Sequence, residues 1–213
     1  MLCVLFTQGT MAQSGDSLSI PAIPYVLHWG ELPQAYTLDS GVLSIQAGPK
    51  SDLFINPQGI KKVLNAPRAL FLPEGDFQLY ARVEVDFNSD FDAGVLMLYA
   101  NEHHWAKLCF EYSPQRQPMV VSVVTRNMSD DANGMVIDGS SVYLRISTIN
   151  NAYAFHYSLD GKYWHFARHF QLAADDPMHL GFAVQSPTGE ACTARFSEMH
   201  FKSEKLKNLR DGT

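Results

Sequence analysis

Trp105-Ala106-Lys107-Leu108-Cys109-Phe110-Glu111-Tyr112 is the stretch whose reading decides the fold. Taken as a strand, its side chains alternate between two faces, so Ala106, Leu108, Phe110 and Tyr112 turn to a core while Trp105, Lys107, Cys109 and Glu111 share the opposite side. That second side carries a cation, a carboxylate and an indole. Upstream, Phe77, Leu79, Ala81, Val83, Val85 and Phe87 alternate with Gln78, Tyr80, Arg82, Glu84 and Asp86, the period of a half-buried antiparallel strand. Asn88-Ser89-Asp90 breaks the pattern, Gly94-Val95-Leu96-Met97-Leu98-Tyr99 reads as a strand covered on both faces, and Asn101-Glu102-His103 turns the chain back.

Outward from this unit the chain reads as strands and turns with almost no amphipathic helix. Asp39-Ser40-Gly41, Asn150-Asn151 and Asp160-Gly161 are hairpin bends, and Ser51-Asp52-Leu53-Phe54-Ile55 is a short extended piece ended by Pro57 and Gly59. Residues 119–125, 142–148, 179–185 and 191–201 are further strands, whereas the polar residues 126–134 read as a loop leaving the sheet. About a dozen such strands predict an all-β fold, a two-sheet antiparallel β-sandwich of the jelly-roll type. Residues 1–24 are expected to form an N-terminal lead-in, 25–202 one β-sandwich domain, and 203–213 a charged, helix-capable tail.

The 213 residues are 46% hydrophobic, enough for a sizeable single core. A net charge of −6 with scattered Lys and Arg supplies no footprint for a phosphate backbone, so nucleic acid is not an expected partner. No stretch reaches the length of a membrane span. Met1-Leu2-Cys3-Val4-Leu5-Phe6, followed by Thr10-Met11-Ala12, reads as a secretory signal lacking its first residues, which would place the protein outside the cytoplasm or in the periplasm; a plain tail and a cytoplasmic location are the alternative. The three cysteines form no C-x-x-C, leaving buried thiols or one Cys109–Cys192 bridge. His165 and His169 stand too far apart on a strand for one metal, His103 and His104 point two ways, and Asp130-Asp131-Ala132-Asn133-Gly134 lacks the spacing of a calcium loop. No metal and no cofactor are expected.

In order along the chain, Ser51-Asp52-Leu53-Phe54 with Pro57 and Gly59, Ala93-Gly94, Trp105-Ala106-Lys107-Leu108 through Glu111, Val123-Val124-Thr125 to Ser129-Asp130, Tyr143-Leu144-Arg145, Tyr157 to Trp164 with Asp160-Gly161, Arg168, and Gly181 to Pro187 form an ordered set. The set resembles the concanavalin A-like family of unknown function that includes the fungal regulation-of-enolase protein and the bacterial YesU-like proteins. Over roughly residues 52–201 the resemblance implies a concanavalin A-like jelly roll and an association with carbohydrate processing, without an established reaction. Leu53 stands where the family has an aromatic residue, which removes one ring available for stacking.

A saccharide site needs an aromatic platform and a few charged or amide groups for hydroxyls. Trp105 and Trp164 are the candidate platforms, and Asp52, Lys107, Glu111, Arg145, Arg168 and Gln185 the candidate polar contacts. Lys107 and Glu111, four apart on a strand, have Cα atoms about 13 Å apart, leaving room for a ligand or for a salt-bridge network with Arg145 and Arg168. The first functional expectation is therefore a carbohydrate-binding domain with an oligo- or polysaccharide partner. The second is a glycoside hydrolase or related carbohydrate-active enzyme using Glu111, with Asp130 or Asp52 as the second carboxyl. Against hydrolysis, Val83-Glu84-Val85-Asp86 begins the E-x-D pattern of retaining glucanases but meets Asn88 and Ser89 where the third acid belongs. A protein-interaction module is the third expectation, and oligomeric state is left open.

Overall fold

The computed structural model describes residues 16–213; the segment read as a signal lies outside the described residues. All its regular structure is strand: β1 (Ser17–Ser19), β2 (Val26–Glu31), β3 (Ala35–Asp39), β4 (Val42–Ala47), β5 (Leu53–Ile55), β6 (Lys62–Leu64), β7 (Arg68–Phe71), β8 (Gln78–Val85), β9 (Ala93–Asn101), β10 (His104–Tyr112), β11 (Pro118–Arg126), β12 (Met128–Val136), β13 (Ser141–Ile149), β14 (Ala152–Ser158), β15 (His165–Phe170), β16 (His179–Gln185) and β17 (Cys192–Lys202). Eight strands form one antiparallel sheet in the order β1-β2-β7-β16-β9-β10-β11-β12, and seven form the second, β15-β14-β13-β8-β17-β4-β3. Among the described residues no helix is long and apolar enough to cross a membrane.

The alternation read in the sequence sets the packing. Leu79, Ala81, Val83 and Val85 of β8 face Leu96 and Leu98 of β9 and Ala106, Leu108 and Phe110 of β10 in one core between the sheets. Each fully buried Leu, Val or Phe contributes about 1.5–3 kcal/mol. Gly94 lets the sheets approach closely at the start of β9, because a Cβ there would lie 2.6 Å from Val83 Cγ1 and 2.9 Å from Ala194 Cβ. Gly94→Ala is therefore expected to lower stability by about 1–3 kcal/mol, read as an earlier midpoint in chemical denaturation.

Three sequence expectations change. Residues 128–136 are not a loop but the edge strand β12, paired with β11 from Arg126↔Met128 to Met119↔Val136. Asn127, at φ 65°, makes the turn between them. An edge strand with both faces wet holds by backbone pairing and needs no apolar alternation, so its polarity concealed it. Residues 203–213 form turns rather than a helix and lie on the second sheet, where Leu206 packs with Ile149 and Ala154. The sandwich also begins earlier than Tyr25, since β1 pairs with β2 and Leu18, Ile20 and Ile23 join the main core. Cys109 and Cys192 are buried free thiols.

β5 and β6 form a separate hairpin lying on the outer face of the eight-stranded sheet. Leu53 and Ile55 pack there on Val95, Met97, Trp105 and Cys109, and the Ile55 amide donates to Ser129 Oγ at 3.0 Å. This hairpin creates both a second apolar cluster and one wall of a hollow.

Candidate functional site

The hollow, of about 440 Å³, opens between the hairpin and the end of the sheet where β9 begins. Its floor is Lys107 and Glu111 of β10, Val121 and Val123 of β11 and Gln185 of β16; Asp52, Phe54 and Lys61 come from the hairpin side, and Phe91, Pro114, Asp131 and Pro187 stand around the rim. The volume lies in the ordinary range of small-molecule sites.

Gln185 holds the floor together. Its register partner on β9 is Ala93, which is also the partner of Glu111, so only a methyl group separates the two longer side chains. Across that gap Gln185 Nε2 donates to Glu111 Oε2 at 3.4 Å and to the Phe91 carbonyl at 3.0 Å. Its Oε1 accepts from Lys107 Nζ at 2.7 Å. The ammonium also donates to Asp52 Oδ1 at 3.3 Å, and Asp52 is fixed by the Leu53 amide at 2.7 Å and by its own amide donating to Asn65 Oδ1 at 3.0 Å.

Lys107 is 3% exposed and Glu111 8%. Burial works against the Lys107 ammonium, but the Asp52 carboxylate, helped by Glu111, outweighs it and leaves the pKa raised. Burial pushes the Glu111 carboxyl up to about 7, with Lys107 opposing and the charges of Asp52 and Asp131 adding to the rise. At neutral pH the floor thus offers a fixed cation, an amide and a carboxyl able to donate or accept. Burial also pushes the Cys109 thiol up, keeping it protonated beneath the hairpin.

Phe91 is the aromatic group that strand periodicity does not reveal. It sits in the turn before β9 at φ 70°, a left-handed conformation costly for a bulky residue. Its amide donates to the Tyr112 carbonyl at 2.7 Å and its carbonyl accepts from Gln185. Asp92 braces the turn by accepting from the amides of Asn88 and Ser89 and from Ser186 Oγ. Phe91, 37% exposed as a residue, stands at the rim of the hollow. The one available signal was an aromatic residue isolated in the polar run Asn88-Ser89-Asp90-Phe91-Asp92. Phe54 is the second ring; Leu53, beside it, packs onto the sheet, so its lack of a ring takes nothing from the hollow.

The predicted set therefore divides. Asp52, Lys107, Glu111 and Gln185 meet. Trp105 does not join them as a stacking platform: it is fully buried beneath the hairpin, and its ring centroid lies 5.8 Å from Lys107 Nζ. The period of two placed it on the correct face, but the hairpin seals that face there. Arg145 and Trp164 belong to the other sheet, where the guanidinium lies 4.1 Å from the indole centroid. Arg168, on β15, clasps the sandwich edge through Asp130 Oδ1 at 3.1 Å and the Ser122 carbonyl at 3.4 Å. The four-residue network of Lys107, Glu111, Arg145 and Arg168 is thus replaced by three separate clusters. Among the described residues no group of three or more His, Cys, Asp and Glu side chains is placed to hold a metal ion.

The family described as "protein of unknown function (DUF1349)" matches residues 29–204, and the chain belongs to it. No curated protein matches by sequence. A functionally unknown protein from Saccharomyces cerevisiae superposes with a TM-score of 0.77 at 20% identity, covering 84% of this chain and 96% of its own. The GH43 BlXynB protein from Bacillus licheniformis superposes at 0.69 with 15% identity, covering 94% of this chain and 40% of its own. A xylan β-1,4-xylosidase from Bacillus halodurans gives 0.64 at 13%, covering 92% and 41%. At these identities the likeness is one of fold.

Proposed function

We propose that this member of the family binds a saccharide in the hollow between the β5–β6 hairpin and the eight-stranded sheet. The observation that carries the reading is the buried trio of Lys107, Gln185 and Glu111, fixed by mutual hydrogen bonds and open on one side to a cavity edged by Phe54 and Phe91. Hydroxyl-rich ligands need such a mixture: rigid donors and acceptors on one side and an apolar ring surface on another. The likeness of fold to glycoside hydrolases that carry a comparable β-sandwich within a longer chain supports it further.

Phe91 provides the test. Phe91→Asn removes the ring yet suits the left-handed backbone, so stability is expected to hold or rise by about 1 kcal/mol. Saccharide affinity is expected to fall about tenfold, equivalent to about 1.4 kcal/mol. Titration of glycan-array hits by calorimetry measures it; no saccharide binding by the unaltered protein, or equal binding by the variant, contradicts the proposal.

A second reading rests on Glu111 alone. A carboxyl with a pKa near 7 on the floor of a hollow suits a general acid in glycoside hydrolysis. Turnover of an oligosaccharide that Glu111→Gln abolishes while binding persists would favour this reading.

A further inference from the structure

Arg145, Ser147 and His156 form a second polar cluster away from the hollow. Arg145 and His156 are direct partners across β13 and β14, and Ser147 follows on the same face. All three are at least 95% buried, although they lie on the outer face of the second sheet. The cover over this face comes from residues 203–213, which carry no regular secondary structure.

The cover is held mainly through its backbone. Gln78 Nε2 donates to the Lys205 carbonyl at 3.5 Å, His156 Nε2 to the Leu209 carbonyl at 2.8 Å, and Arg145 Nη2 to the Gly212 carbonyl at 2.6 Å. The Leu206 amide donates to the Thr148 carbonyl at 2.8 Å. Leu206 is the apolar anchor, 1% exposed, with Leu209 packed beside it. Gly212, at φ 73°, fits where a Cβ would strike Arg145 and lie 2.7 Å from Trp164 Cβ. Main-chain acceptors, a leucine pocket and a place only glycine fills are the elements of peptide recognition.

The cover satisfies this face incompletely. Arg145 Nε, Ser147 Oγ and His156 Nδ1 are three of the seven buried side-chain polar atoms that lack a partner among the described residues. Because Leu209 O can only accept, His156 Nε2 carries the proton and Nδ1 is left as an unused acceptor. Buried groups left without a partner are unfavourable, which makes the cover easier to lift than its burial alone implies.

We infer that the outer face of the second sheet around Arg145, His156 and Trp164 is a peptide-binding site, filled here by the chain's own residues 205–212 and able to take the same segment from a second copy. Reciprocal exchange of the segments between two copies preserves the contacts that residues 205–212 make with the face, at the cost of the entropy of association. The inference is independent of the saccharide reading, since the two sites lie on different sheets.

A dye-labelled peptide with the sequence of residues 203–213 is the probe. The full-length Leu206→Asp variant, its own anchor spoiled, is expected to bind it at least tenfold more tightly than the unaltered protein, and adding Arg145→Ala is expected to abolish binding. A folded Leu206→Asp variant that ignores the peptide overturns the inference, as does displacement of the segment by oligosaccharides in place of the peptide. Should the variant fail to fold, hydrogen exchange on the unaltered protein decides. The Leu206 amide is expected to exchange at least a hundredfold faster than that of Leu108, and equally slow exchange would make the segment a permanent part of the fold and overturn the inference.

Discussion

Lys107→Met is expected to destabilise the protein by about 3–5 kcal/mol at pH 8, with the deficit shrinking as the pH is lowered. Among the described residues the ammonium is the one cation bonded to Asp52, and it shares Gln185 with Glu111 on the buried floor of the hollow. A methionine fills similar volume, so little of the loss comes from packing. Asp52 loses its ion-pair partner at the hairpin, and the buried Glu111 carboxyl loses the cation that opposes the cost of its burial. Lys107 is what opposes the rise of the Glu111 pKa, so in the variant that pKa climbs further, which makes the loss largest where solution conditions demand ionisation of Glu111 and smallest where it is protonated. Urea denaturation of the two proteins between pH 5 and 8 measures this. A pH-independent deficit would mean that Lys107 serves as a spacer rather than a charge.

Glu111→Gln is expected to act in the opposite direction. With a folded-state pKa raised from 4.5 to about 7, Glu111 binds its proton more tightly folded than unfolded. Its contribution is therefore fully present below about pH 4.5 and is lost as the pH rises through 7. At about 1.4 kcal/mol per pH unit the loss is on the order of 3 kcal/mol by pH 8. Glutamine keeps the shape and the contact with Gln185 without titrating, so the variant should gain on the unaltered protein by that amount between pH 4.5 and 8. If the two stability profiles run parallel, Glu111 does not titrate as the buried site requires.

The β-architecture was legible because alternation in 77–87 and 105–112 ties side-chain parity to the two faces of a sheet, and the structure keeps that parity at every residue from Trp105 to Phe110. Four of the eight proposed site residues also converge. Parity states which face a residue occupies but not what covers that face, so it could not distinguish the sealed Trp105 from the open Lys107. Nor does parity state which sheet a strand joins. Arg145 and Trp164 found each other on the far sheet, stacked in a polar and aromatic setting, but beneath the C-terminal segment instead of a ligand. Phe91 escaped notice because its placement depends on a strained turn held by contacts to Tyr112, Gln185 and Asp92, none of which is near in sequence except Asp92. β12 escaped because water on both sides erases the apolar period of an edge strand.

The two rings and the polar floor come from four separate parts of the chain: the hairpin with Asp52 and Phe54, the turn at Phe91, β10 and the end of β16. That convergence is what joins the sandwich to the proposed binding role. Amide chemical-shift mapping during titration with the tightest oligosaccharide from a glycan array tests it most directly. Saturable shifts confined to Asp52, Phe54, Phe91, Lys107, Glu111 and Gln185 with their neighbours are the expected result. Saturable shifts centred on the second sheet, or none at millimolar sugar across the array hits, would contradict it.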